Sequence, residues 1–366
     1  MPVQFIGAIG SNGGSESRVS SRAVVDKVYL GAIARAHEAA GFDRVLVGYF
    51  SGAPDGFQVV AYAAQQTEKL AFLLAHRPGF VAPTLAARQL ATLDHFSSGR
   101  LAVHIITGGS NAEQQRDGDF LTKEERYART DEYLEVVRQS WTATEPFDHE
   151  GEHYHVVDSF SGVKPVQQPY LPVFFGGSSD AAIAVAGKHA DVFALWGETL
   201  AQTAETIDRV REAAAKHGRE NHIQFSLSLR PVLGRTEEEA WARADRILDA
   251  AKALRGTGRQ FGRHDGSAPS VGSQRLLEAA AGGPVRDKRL WTEIAALTGA
   301  GGNSTGLVGT AEQVAESLLD YHDLGITNFL IRGFDPLEDA IEYGRDLIPL
   351  VRAAVAERDA LPQAAE

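Results

Sequence analysis

The chain has 366 residues, 43% hydrophobic and 23% charged, which is enough to bury a sizeable core as one large α/β domain or two medium ones. Its formal net charge of -12 lacks the clustered positive charge that a nucleic-acid partner requires. The absence of cysteine excludes disulfides, thiolate metal sites, iron–sulfur clusters and a Cys nucleophile. The N-terminus shows no secretory pattern, and no apolar run reaches about 18 residues, so the expectation is a cytoplasmic protein with no membrane partner.

Short apolar runs alternate with amphipathic helical stretches along the chain, the pattern of parallel strands with crossover helices. The first strand is expected at 3–10, with a helix over 25–40, a second strand at 44–48 and a helix over DGFQVVAYAAQQT. LAFLLAHRP (70–78) leads to PTLAARQLATLDHFSSG, where a proline at the start and a glycine past the end bound a helix. RLAVHIITG (100–108) is the fourth strand, its helix falls near 127–142, and FDHEGEHYHVV alternates like a hairpin excursion before the fifth strand, PVFFGG (172–177). DVFALWG (191–197), IQFSLSLRPVLG (223–234) and ITNFLIRG (326–333) complete eight strand–helix pairs.

Eight repeats without an early G-x-G-x-x-G favour a closed (β/α)8 TIM barrel over a doubly wound sheet. One domain is expected over 1–352, with a lid or substrate loop at 255–305 containing helical pieces at 273–281 and 287–297, and a frayed tail over 353–366.

Active sites of such barrels lie where the strands end. The polar residues there include Ser11, Asn12, Tyr49, His76, Arg77, Thr107, Ser178, Ser179, Trp196, Arg230 and Arg332. In FFGGSSD, Gly177 permits close backbone approach, while two hydroxyls and the free amides of a helix start form a phosphate cradle. The plain alternative is a tight turn in which Ser179 or Asp180 caps the helix, and Asp180 repels phosphate unless it points away. Ser226, Ser228 and Arg230 share one strand face by period-two geometry, or Arg230 has already left the strand. Arg230 and Arg332 each end an apolar run, where each needs an anion: a ligand sulfonate, phosphate or carboxylate, or an acidic side chain of the protein.

His104 sits inside its strand and reads as a core histidine. The HEGEHYH run could suggest a metal, but it alternates faces in a hairpin, and no metal is assigned. No G-x-S-x-G elbow or P-loop occurs.

Taken together, RPGFVAPTLAARQLATLDHFSSGRLAVHIITG, DGDFL…ERY, QQPYLPVFFGGSSD and LWGE resemble the alkanesulfonate monooxygenase group of the bacterial luciferase-like superfamily, from the first strand to about Arg352. The resemblance implies a barrel that uses reduced FMN, supplied by a separate NAD(P)H-dependent FMN reductase, and O2 to convert an organosulfonate into an aldehyde and sulfite. It implies that Ser178, Ser179 and Tyr127 hold the FMN phosphate, that Thr107 sits beside the flavin ring, and that Trp196 lines the pocket. A homodimer or higher oligomer is implied as well.

The substrate side departs from the family pattern. Ser11, Ala53 and Phe334 stand near the family's histidine, cysteine and tyrosine, and the strand-seven charge falls on Arg230 instead of at Ser228. No arginine aligns near Thr298, although Arg263 and Arg289 are close by in sequence, and Arg332 is an addition. With Asn12, Tyr49 and His76 nearby on strand ends, these changes imply a more polar sulfonate, such as a sulfo-sugar.

Overall fold

The computed structural model describes residues 2–20, 23–257 and 269–360. The fold is α/β, a (β/α)8 barrel. In chain order the elements are β1 (Gln4–Ile9), α1 (Lys27–Ala39), β2 (Arg44–Val47), α2 (Gly56–Ala64), β3 (Ala71–His76), α3 (Pro83–Phe96), β4 (Leu101–Ile105), α4 (Asn111–Arg116) and α5 (Lys123–Thr142). A hairpin of β5 (Phe147–Glu150) and β6 (His155–Ser159) precedes β7 (Val173–Gly176), α6 (Asp180–His189), β8 (Val192–Trp196), α7 (Leu200–Ala215), β9 (Gln224–Leu233) and α8 (Glu237–Gly256). The chain continues through α9 (Val271–Ala281), β10 (Val285–Arg286), β11 (Leu290–Trp291), α10 (Glu293–Thr298), β12 (Gly306–Gly309), α11 (Ala311–Asp323), β13 (Ile326–Ile331), α12 (Pro336–Glu342) and α13 (Ile348–Ala360). The ring order is β1-β2-β3-β4-β7-β8-β9-β13, closed by β13 on β1.

Contacts divide the chain into two compact units. The first comprises Met1–Val45, Ala194–Ile207 and Gln224–Glu366. Its ring strands read as unbroken apolar runs because parallel strands are covered on both faces. In β9 every residue after Gln224 is buried. Leu227 and Leu229 lie beside Phe329 and Ile331 of β13. β9 runs on past that pairing, and its last four residues, Arg230–Leu233, pair with Gly306–Gly309 of β12. β11 then pairs with β12, and β10 with β11, both antiparallel. Trp291, Ile294, Val308 and Phe334 pack there against Val232, Ile247 and Leu248.

This corrects two expectations. The stretch 287–297 is not one helix: Leu290–Trp291 is a strand and helix begins at Glu293, because Trp291 is buried as a strand partner of Gly306. The C-terminal stretch is not frayed from 353 onward, since α13 continues to Ala360 with Val351 and Val355, one turn apart, both buried and with Arg358 paired to Asp323.

The second unit comprises Leu46–Phe193 and Asp208–Ile223. β3, β4 and β7 lie parallel, with Leu74 beside Val103 and Ile105 beside Phe175. α3 begins on Pro83, and after it Ser98 and Gly99 reverse the chain at positive φ. α5 starts on a capping box, with Thr122 and Glu125 exchanging hydrogen bonds between side chain and backbone, and Trp141 Nε1 donates to Ala87 O of α3 at 2.9 Å. Among the described residues no helix is long and apolar enough to cross a membrane.

Candidate functional site

The second unit holds the turn from β7 into α6. β7 ends in Gly176, and Gly177 turns at φ +145, where a Cβ would sit 2.7 Å from the Ala182 side chain and 3.1 Å from the Tyr127 hydroxyl. Any larger residue would fill the turn that opens α6. Ser179 is the N-cap, its hydroxyl accepting from Ala182 N at 3.4 Å. The amides of Asp180 and Ala181, in the first turn, have no acceptor within the helix, so the turn presents the donors and partial positive charge that suit an anion. Tyr127, buried on α5, brings its hydroxyl beside this turn. Burial raises its phenol pKa, so the hydroxyl stays protonated and able to donate. Asp180 does point away: its carboxylate is fully exposed and pairs with Arg209 at 2.7 Å. The Ser179 cap is therefore present, and it leaves the first-turn amides of α6 without a helical acceptor. Thr107 is buried one residue before Gly108, its Oγ1 3.5 Å from that of Thr130.

Other polar residues of this unit are largely committed to one another. His76 Nε2 meets the Tyr133 hydroxyl at 2.6 Å, and burial lowers the imidazole pKa to about 4, so this histidine is neutral at pH 7. Tyr49 donates to Asp117 Oδ2 at 3.1 Å, and burial together with that carboxylate raises its pKa to about 12. Arg126, fully buried, donates to Leu121 O at 2.6 Å and Asn111 Oδ1 at 3.0 Å. His104, partly buried on β4, is neutral, its pKa lowered by desolvation to about 4. In the hairpin, His149 donates to Glu132 Oε1 at 3.1 Å, and Glu132 also accepts from the amides of His153 and Tyr154.

The first unit gathers the candidate arginines. Arg230 lies within β9, on the same face as Ser226 and Ser228, and none of its side chain is exposed. Its Nη1 is 2.7 Å from Glu16 Oε2, its Nη2 donates to Gly333 O at 2.8 Å, and its guanidinium stacks 3.5 Å from the Phe334 ring centroid. Arg332 Nη2 reaches Glu16 Oε1 at 3.1 Å and Asn303 O at 3.3 Å, yet 39% of its side chain remains exposed. Burial raises the Glu16 pKa, but the two arginines outweigh it and hold the carboxyl at about 2. Of the two kinds of anion left open for Arg230, the structure supplies the acidic side chain, and the guanidinium is enclosed by Glu16, Gly333 and Phe334. Arg332 is the partner with free surface.

Glu16 went unrecognised in the sequence because SNGGSES reads as a polar loop, with no periodicity to say which residue turns inward. Asn12 folds back to accept from Gly14 N at 3.2 Å. Trp196 packs beside Leu276, Ala295 and Ala300. After it, Gly197 donates to Asn303 Oδ1 at 3.3 Å and accepts from Thr305 Oγ1 at 2.6 Å. Glu198 is gripped by Arg275 of α9, whose Nε lies 2.9 Å from both carboxylate oxygens. Arg289 pairs with Glu237 at 2.8 Å, and Arg263 falls outside the described residues.

A (β/α)8 barrel with polar, anion-suited groups on the strand ends defines a class of catalytic barrels. The chain belongs to the luciferase-like monooxygenase family, whose model matches residues 9–328. Among solved structures, a riboflavin lyase determined with modified FMN and riboflavin is similar at a TM-score of 0.78 and 19% identity, over 97% of this chain and 92% of that one. A long-chain alkane monooxygenase gives 0.77 and 19%, over 100% and 94%. EDTA monooxygenase from Chelativorans sp. BNC1 gives 0.77 and 20%, over 99% and 95%. At these identities the likeness is one of fold.

Proposed function

We propose that the protein is a two-component flavin-dependent monooxygenase that desulfonates a polar organosulfonate, using FMN reduced by a separate NAD(P)H-dependent reductase. The observation that carries the cofactor half is the Gly177–Ser179 turn: two hydroxyls, free first-turn amides and the Tyr127 hydroxyl stand together, while Asp180 is drawn off by Arg209. That donor set fits a phosphate monoester. Ser178, Ser179 and Tyr127 hold it in this reading, Gly177 lets it approach, and Thr107 lies toward the ring. The reduced flavin supplies the electrons that allow O2 to oxidise the carbon bearing sulfur, giving a carbonyl compound, sulfite and water.

The protein contributes binding, orientation and exclusion of water. Arg332, with part of its guanidinium exposed, attracts the sulfonate, and Arg230 supports it indirectly by fixing Glu16. Two cations and one carboxylate leave this group net positive. Within the first unit, Trp196 walls the substrate in this reading and Asn12 offers it a polar contact. The test is sulfite release with a generic flavin reductase, comparing alkanesulfonates with sulfoquinovose. Sulfite from at least one sulfonate is expected, and hydrogen peroxide alone across the series would overturn the reading.

A second reading is favoured by Glu16 itself. Since its carboxylate already pairs with both arginines, they can be structural, and the barrel can oxidise an uncharged substrate with FMN or a deazaflavin. Binding of both cofactors, measured beside the sulfite assay, separates the two.

A further inference from the structure

Arg77 follows directly on β3, and only 4% of its side chain is exposed. A guanidinium carries five N–H donors and keeps its charge at any physiological pH. Here Nη2 meets Glu113 Oε2 at 3.3 Å, longer than a close charge-assisted pair, and the Tyr49 ring lies 4.4 Å from Cζ. Stacking covers a face of the group but accepts no hydrogen bond. Nε and Nη1, both buried, have no partner among the described residues.

Other arginines of the same unit are better furnished. Arg100, for example, donates to Ser97 O, Leu70 O, Ala64 O and Thr67 Oγ1. Burying charged donors without acceptors is costly, so such a group is a place where a ligand gains what the protein forgoes. A second observation lies on the residue after Glu113. Gln114 is fully buried, and neither its amide nitrogen nor its amide oxygen has a partner. Gly108, at φ +91, is a glycine because any Cβ there would overlap that amide.

We infer that Arg77 is the receptor for the substrate's sulfonate, closed in this structure by Glu113 and Tyr49. The inference rests on the desulfonation reading and deepens it by adding an anion anchor at Arg77, where Nε and Nη1 are left without partners among the described residues. A sulfonate presents three acceptor oxygens, where the Glu113 carboxylate reaches Arg77 through one. Glu113 is partly exposed and also accepts from Ser51 N at 3.1 Å, so it retains a partner when the sulfonate replaces it. Flavin phosphate shares the same oxyanion chemistry, and the experiment separates the two sources.

The wild type, Arg77→Met, Arg77→Lys and Glu113→Gln are titrated calorimetrically with sodium sulfate and octanesulfonate, and by flavin fluorescence with FMN and riboflavin. Arg77→Met is expected to weaken both sulfur oxyanions by about tenfold or more, with Arg77→Lys recovering part of the loss and FMN affinity unchanged. Glu113→Gln, which removes the competing carboxylate, is expected to tighten both several-fold, and it carries the test if Arg77→Met does not fold. Unchanged anion affinity in Arg77→Met, no tightening in Glu113→Gln, or no anion binding by the wild type overturns the inference. A loss of FMN affinity with riboflavin unaffected overturns it too, because it assigns Arg77 to the phosphate. If anion binding depends on Arg77 but no sulfonate releases sulfite, the desulfonation reading falls and the oxyanion receptor stands.

Discussion

Ser178 and Ser179 are neighbours with different duties. Ser179 spends its hydroxyl capping α6, so Ser179→Ala is expected to lower stability by about 0.5–2 kcal/mol in urea denaturation and to weaken FMN binding as well. Ser178 is not the cap, so Ser178→Ala is expected to leave the urea midpoint in place and to cost about tenfold in FMN affinity, with riboflavin unaffected. Equal losses for FMN and riboflavin in Ser178→Ala would argue against a phosphate contact. Both residues stood out as candidates in the sequence because two glycines and two serines directly follow a buried apolar run. Glu16 did not, since a loop carboxylate announces its partners only when the chain has folded. Arg77 stood among the strand-end candidates, but nothing in its sequence context distinguished a half-satisfied guanidinium from a paired one.

At the scale of elements, α9 is fastened to the β8–α7 connection by Arg275. Besides Glu198, it reaches Glu205 Oε2 at 3.1 Å, Gln202 O at 2.9 Å and Thr206 Oγ1 at 3.2 Å. Burial pushes the Glu198 carboxyl up to about 7, with Arg275 opposing the shift, so this glutamate depends on its partner to stay ionised at neutral pH. Arg275→Ala leaves it buried and uncompensated. The expected result is a loss of about 3–5 kcal/mol together with faster proteolysis within 271–281, and Glu198→Gln in the same chain should restore part of the stability. Proteolysis unchanged from wild type would show that α9 is held by other means. The helical period made the 273–281 piece readable in advance. The strands β10, β11 and β12 were not readable, because two- and four-residue strands are too short to show a period.

For the whole molecule, acid stability is set by residues spread over both units. Burial lowers His37, His76 and His104 from 6.5 to about 4. In the unfolded chain they bind protons at higher pH than in the fold, so stability is full above about 6.5 and is lost as pH falls toward 4. Each shift corresponds to about 3 kcal/mol once protonation is complete. Glu16, held at about 2 against an ordinary 4.5, adds a further loss between those values. Acidification also relieves the self-repulsion of a chain with net charge -12, but exposed charges are screened and the histidines are not, so the losses win. Unfolding free energies measured from pH 7.5 to 4 are expected to fall steeply below 6.5, and a flat profile would contradict the neutral histidines. The barrel was legible at this scale because the repeat of apolar run and amphipathic helix is a whole-chain signal, independent of any single residue.

β9 bears on that architecture in one more way. Its first half belongs to the ring, and its last four residues carry β12 and, through it, β11 and β10. Mechanically, the added strands are mounted on a strand, at Arg230–Leu233, while Arg275 ties α9 to the β8–α7 connection. Arg230, which holds Glu16, stands on that same strand, so this arginine and the inserted strands share one mounting.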